Sequence, residues 1–259
     1  MRRYFIKLAY NGSAFHGWQI QPNAVSVQDE IEKALKLILT QYINLVGCGR
    51  TDTGVHAKEY FAHFNTEIEL SDKTKFLHRL NGILGNHIAI EDIFEVHPLL
   101  HSRFDAVSRN YHYYIHQKKN PFLTNTSYLY TYPIDVDLMN KAANLLLHYE
   151  DFKSFSKVKT EVNNFRCDIF EAQWTVKDEQ LVFSISANRF LRNMVRAVVG
   201  TLLNVGRKRI TIDEFCHIIE SRNRSAAGQS VPGHALFLNK INYPENAFSS
   251  PLIYCNEVK

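Results

Sequence analysis

The feature that most restricts the fold is a recurring order of hydrophobic periods, because the chain passes twice through strand, helix, strand, strand, helix, strand. Tyr4–Tyr10 alternates, with Ile6 and Leu8 on one face, as a half-buried strand does. After an Asn11-Gly12 turn, Ser26 caps a helix whose stripe is Val27, Ile31, Ala34, Leu35 and Ile38, and Asp29 completes a capping-box pattern. Ile43–Cys48 and Glu59–Thr66 read as strands, Asp72–Leu84 as a helix and Ile88–Val96 as a strand. The second half predicts a strand at Asn110–Gln117, a helix at Asp137–His148, and a hairpin of Arg166–Val176 and Gln180–Ala187. Helices over Phe190–Val205 and Ile212–Ser221 and a closing strand at Ala235–Tyr243 complete it. This order predicts an α+β protein of two ferredoxin-like β-α-β-β-α-β halves with antiparallel sheets, 1–105 and 106–259, divided near Asp105.

Composition narrows the class. Hydrophobic residues make up 45% of the 259 and charged residues 22%, which excludes disorder and a disulfide scaffold. No apolar run is long enough to cross a membrane, and Met1–Lys7 lacks the apolar centre of a signal peptide, so the chain reads as cytoplasmic. Cys48, Cys167, Cys216 and Cys255 are far apart and read as reduced thiols rather than as a zinc site. Net charge is only +4, but its distribution is uneven. Residues 180–212 hold Arg189, Arg192, Arg196, Arg207, Lys208 and Arg209 with no carboxylate, and residues 106–134 hold Arg109, Lys118 and Lys119, again with none. Such clusters are either solvated faces or a polyanion-binding surface.

Several common chemistries lack their local signatures. Gly47-Cys48-Gly49 is followed next by Gly54, which breaks dinucleotide-loop spacing, and Gly200 and Gly206 are one residue too far apart for a phosphate loop. There is no serine-hydrolase elbow and no RNP1 pattern. The unusual stretch is Gly47-Cys48-Gly49-Arg50-Thr51-Asp52-Thr53-Gly54-Val55-His56-Ala57. Its glycines permit positive φ, so it reads as an ordered loop. Arg50 and Asp52 stand two apart and emerge on the same side of an extended segment. A guanidinium there can hold the carboxylate in one rotamer and keep it ionised, which suits a nucleophile better than a general acid. The alternative is a buried Arg-Asp pair that only pins the loop. His56 is open as a base or a metal ligand.

Gly49-Arg50-Thr51-Asp52-Thr53-Gly54-Val55-His56-Ala57 resembles the catalytic loop of the tRNA pseudouridine synthase A family. Tyr10-Asn11-Gly12-Ser13 with Phe15-His16-Gly17-Trp18-Gln19-Ile20-Gln21 is similar to that family's N-terminal signature. His101–Ala106, Ser108–Tyr113, Asn188–Arg196 and Ala235–Leu238 through Tyr243-Pro244 resemble its later blocks, so the likeness spans almost the whole chain in order. Two positions depart from the pattern: Gly85 stands where proline is usual, and His234-Ala235 replaces an acidic-Gly pair before Leu236.

The resemblance implies a homodimer that converts uridine to pseudouridine at tRNA positions 38 to 40, in the anticodon stem-loop, without cofactor or metal. It implies an active-site cleft between the two halves, with Asp52 as the catalytic carboxylate. Attack on C1′ of the ribose, attack on C6 of the base and assisted elimination to a glycal all stay open. Arg50 would orient Asp52, and Arg196 would pair with it. Tyr111 would stack on the target pyrimidine, with removal of the C5 proton as a second role, and Leu236 would line the base. Arg103, Arg109, Arg189 and Arg192 would meet the tRNA. The spacing of Arg189, Arg192 and Arg196 predicts one shared helical face. The competing readings are a non-catalytic RNA-binding module of the same fold and a nuclease using Asp52 and His56. An intact Arg50-Asp52 pair with Tyr111 speaks against the first, and activity in chelator would speak against the second.

Overall fold

The structure, a computed structural model, describes residues 1–158 and 163–248; Cys255 lies outside them. It divides into two compact units, Met1–Val107 together with the returning segment from Leu238, and Ser108–Phe237.

The first unit contains β1 (Arg2–Tyr10), α1 (Val27–Leu39), β2 (Val46–Gly47), β3 (His56–Thr66), α2 (Lys73–Ile83) and β4 (Ile88–Val96). β1 is antiparallel to both β3 and β4, giving the order β4-β1-β3, and β2 pairs with His63 and Ala62 of β3. Tyr4, Ile6, Leu8 and Tyr10 are buried on one face of β1, as the alternation requires. Phe5 on the other face is buried as well, because the rings of His63, Phe94, Tyr243 and Phe248 cover it. Ser26 caps α1 by accepting from the Asp29 amide, and its buried stripe includes Val27, Ile31, Ala34 and Leu35. The strand expected over Ile43–Cys48 shrinks to two residues. Leu45 does not join the ladder because its amide donates instead to the carboxylate of buried Glu32, 2.9 Å away.

The second unit contains β5 (Ser108–His116), β6 (Tyr128–Leu129), α3 (Val136–Leu145), β7 (Ile169–Lys177), β8 (Gln180–Ala187), α4 (Met194–Gly206) and α5 (Ile212–Glu220). β8 lies between β5 and β7, antiparallel to each, while β6 runs parallel to the end of β5. The hairpin turns at Asp178 and Glu179, both with positive φ, the backbone hand that a two-residue turn between twisted strands needs. α3 stops at Leu145 and tightens into a 3-10 turn over Leu146–His148.

One expectation about this half is corrected. The helix foreseen from Phe190 begins only at Met194, because Asn193 adopts the left-handed conformation at φ 68°. Asparagine tolerates that region better than most side chains. Arg189 and Arg192 therefore precede the helix, and the single helical face predicted for them with Arg196 does not exist. The closing strand is β9 (Leu236–Asn242), and from Leu238 onward it groups with the first unit rather than with the second. There the Ile241 amide donates to Glu59, the Val107 amide to the Asn242 carbonyl, and the Tyr243 hydroxyl to the Ser102 carbonyl. The mixed strands and packed helices are those of an α+β fold.

Candidate active site

In the first unit the loop between β2 and β3 is fixed at nearly every residue. The Cys48 amide donates to the Phe61 carbonyl at 2.9 Å, and the Tyr60 hydroxyl donates to the Gly49 carbonyl at 2.5 Å. Thr51 is buried, with its Oγ1 2.8 Å from the Tyr10 hydroxyl and its carbonyl accepting from the Trp18 amide. The Gly54 amide reaches the Phe15 carbonyl, and the Val55 amide reaches back to the Asp52 carbonyl at 3.1 Å. Beneath the loop, Trp18 stacks on Tyr60 at 4.1 Å between ring centroids, and Tyr10 meets Tyr60 edge-on. The result is a half-buried Asp52 carried on a backbone that cannot easily shift.

Two of the glycines around it have positive φ. Gly54 turns the loop at φ +77°. Gly17 has φ +92°, and a Cβ there would lie 2.3 Å from the Thr51 carbonyl oxygen, so only a bare backbone fits. The N-terminal segment that reads as a separate motif in sequence is thus the clamp on the Asp52 loop.

His56 is buried and Arg50 is exposed. His56 is 2% exposed, and its Nδ1 accepts a hydrogen bond from the Gly12 amide at 3.1 Å. That nitrogen therefore carries no proton, and the ring joins the clamp to β3. Arg50 is exposed, and among the described residues no ion pair joins it to Asp52. Hydrogen bonds of the Thr51 side chain and carbonyl hold the loop that carries Asp52. Among the described residues no three His, Cys, Asp or Glu side chains gather as metal ligands.

In the second unit Tyr111 lies on β5 opposite Ile185 of β8, half-buried, with the Phe190 ring edge-on at 5.2 Å. Tyr113 points to the same face, and burial raises its phenol pKa strongly, so it stays a hydrogen-bond donor to the Pro232 carbonyl at 3.0 Å. The Arg196 Nε donates to the neighbouring Val231 carbonyl at 2.7 Å, and the Val231 amide returns a bond to the Arg196 carbonyl. The Val231-Pro232 segment thereby ties Arg196 to the tyrosine strand, a tie with no signal in the local sequence. Arg109 sits at the start of β5 and donates to the Asn188 carbonyl at 2.7 Å. Arg189 lies near Cys167, whose thiol is pushed up to about 11 by burial and eased down by that guanidinium. Arg192 is exposed, and Leu236 is buried at the start of β9. Arg103, in the first unit, is exposed beside Phe104.

Residues 142–244 match the family profile described as tRNA pseudouridine synthase. The chain is 51% identical over 250 residues to the tRNA pseudouridine synthase A of Parabacteroides distasonis, covering 96% of this chain and 98% of that one. The chain belongs to the tRNA pseudouridine synthase A family. The tRNA pseudouridine synthase A of Bacteroides fragilis is 49% identical over 249 residues, covering 96% and 99% of the two chains. That of Bacillus subtilis is 37% identical over 240 residues, covering 91% and 97%. Within the tRNA pseudouridine synthase A family, then, this member presents its candidate residues in two groups. Asp52 and Arg50 share the clamped loop of the first unit, while Tyr111, Phe190 and Arg196 surround the tyrosine strand of the second.

Proposed function

We propose that this chain isomerises uridine to pseudouridine at positions 38 to 40 of the tRNA anticodon stem-loop, with Asp52 as the nucleophile. The reading is carried by its 51% identity, along nearly the full length of both chains, to a tRNA pseudouridine synthase A. The chemistry asks little beyond positioned side chains. The C1′–N1 bond breaks, the base turns, C1′ joins C5, a proton leaves C5 and N1 gains one, so no electrons are exchanged and no cofactor is needed. A half-buried carboxylate on a rigid loop suits the attacking role, because a nucleophile must keep its place while the base moves.

In this reading each half is a ferredoxin-like unit, and one uridine draws Asp52 and Arg50 from the first half and Tyr111, Arg196 and Leu236 from the second. Tyr111, braced edge-on by Phe190, offers a ring on which a pyrimidine can stack. Arg103, Arg109, Arg189 and Arg192 contact the tRNA backbone. The enzyme works as a cytoplasmic homodimer, which doubles the net charge of +4 presented to one tRNA. Backbone contacts of this kind offset the few kcal/mol spent in flipping a stacked base into a pocket.

The deciding experiment is pseudouridine mapping on unmodified tRNA before and after incubation with the purified protein. New pseudouridine at positions 38 to 40 is expected. Tight binding without conversion would make the chain an RNA-binding module instead.

A further inference from the structure

The segment from Gln117 to Tyr132 in the second unit takes no part in the site, yet it is built around an aromatic ring held in solvent. Phe122 is 90% exposed. The turn that carries it is ordered: Asn120 Oδ1 accepts from the Phe122 amide at 3.0 Å, Thr124 Oγ1 donates to the Pro121 carbonyl, and the Thr126 and Ser127 amides both reach the Leu123 carbonyl. Its base is anchored as firmly. Buried Ser127 bonds His116 at 2.9 Å, the Tyr130 amide donates to the His116 carbonyl, and the Gln117 amide group donates to the Tyr132 carbonyl. The backbone that carries the ring is thus already ordered, so binding has only the side chain's own rotamers left to fix.

Its surroundings choose the partner. Lys118 and Lys119 are exposed next to it, and no carboxylate occurs from residue 106 to 134. The same segment continues into a ladder of rings, Tyr128 to Tyr130 at 5.6 Å and Tyr130 to Tyr132 at 5.5 Å. The Arg207 guanidinium lies 3.7 Å from the centre of half-exposed Tyr132. Cations interleaved with exposed rings fit a nucleic-acid strand, the charges meeting phosphates and the rings meeting base faces. A protein partner would have to leave those cations unmatched or supply its own acids.

The position is separate from the candidate site. Tyr111 and Arg109 lie toward one end of β5 and this segment leaves the other; from Tyr111 to His116 the strand runs five residues, about 16 Å at strand rise. One base cannot serve both. We propose that Phe122, Lys118, Lys119 and the Tyr132–Arg207 pair form a second RNA-docking surface, which takes an unpaired base and its flanking phosphates at a nucleotide other than the reacting uridine. The proposal rests on tRNA being the substrate.

Binding of unmodified tRNA to the full-length protein tests it, with single-turnover pseudouridine formation followed in parallel. Phe122→Ala is expected to weaken binding roughly fivefold or more, the effect of losing one stacked base, while Phe122→Trp keeps it. The Lys118→Ala/Lys119→Ala double variant is expected to flatten the plot of log affinity against log salt by about 1.4–1.8, the effect of removing two phosphate partners. Single-turnover rates at saturating enzyme stay near wild type in all three, because the surface is remote from the chemistry. Wild-type binding and salt slope in both alanine variants, alongside an active wild-type enzyme, would overturn the docking surface and leave the synthase reading standing. A changed oligomeric state of Phe122→Ala in sedimentation would also overturn it, in favour of a contact between copies. No conversion by the wild-type protein would strike the synthase reading first.

Discussion

The Tyr10 hydroxyl and Thr51 Oγ1 lie 2.8 Å apart in a buried hydrogen bond, joining the end of the first strand to the residue beside Asp52. Tyr10→Phe removes the partner and leaves a buried Thr51 hydroxyl short of one bond, a cost of about 1–3 kcal/mol. We expect a lower melting temperature and a slower single-turnover rate with little change in tRNA affinity. An unaltered rate in a destabilised protein would show that this bond holds the fold and not the carboxylate.

Asp52→Asn preserves shape and removes charge. Pseudouridine formation should vanish while tRNA binding and thermal stability stay close to wild type, since a neutral amide is a poor nucleophile. Turnover above about a hundredth of wild type would remove Asp52 from the central role.

Arg189 and Arg192 stand just before α4, Arg192 exposed and Arg189 beside Cys167. Replacing both by alanine should weaken tRNA binding more than it slows conversion of bound tRNA. Two fewer cations facing phosphates should lower the salt slope by about 1.4–1.8. A collapsed single-turnover rate with an unchanged slope would move both residues into the pocket.

His63 should make the first unit sensitive to acid. Burial, followed by the charges of Arg3 and His101, holds its pKa down at about 3, and its Nδ1 accepts from the Ser102 amide. The unfolded chain takes up this proton near pH 6.5, so stability is complete above that pH and declines as pH falls toward 3. The decline should amount to a few kcal/mol at the acid end of that window. His63→Gln should flatten the dependence in denaturant titrations between pH 7 and 4. His101 and His116, both also held low by burial, would retain the remainder.

What could be read from the sequence alone was local chemistry. The helix over Val27–Leu39 follows from a serine cap and a 3.6-residue stripe, and the strand at Ile88–Val96 from its own apolar pattern. The Asp52 loop stood out because its glycines and charges are crowded into eleven residues. Each of these signals is complete within a few residues of chain. The tertiary structure decided whatever depended on a partner distant in sequence. Glu32 captures the Leu45 amide and shortens β2, and a left-handed Asn193, bonded through its side chain to Ser230, delays α4 and dissolves the arginine face. Arg50 turned out exposed, while Tyr10, Phe15, Gly17 and Trp18 hold the loop from some 30 residues or more along the chain. A backbone N–H donates to whichever acceptor folding brings nearest, and a spacing of two or four residues cannot specify that acceptor.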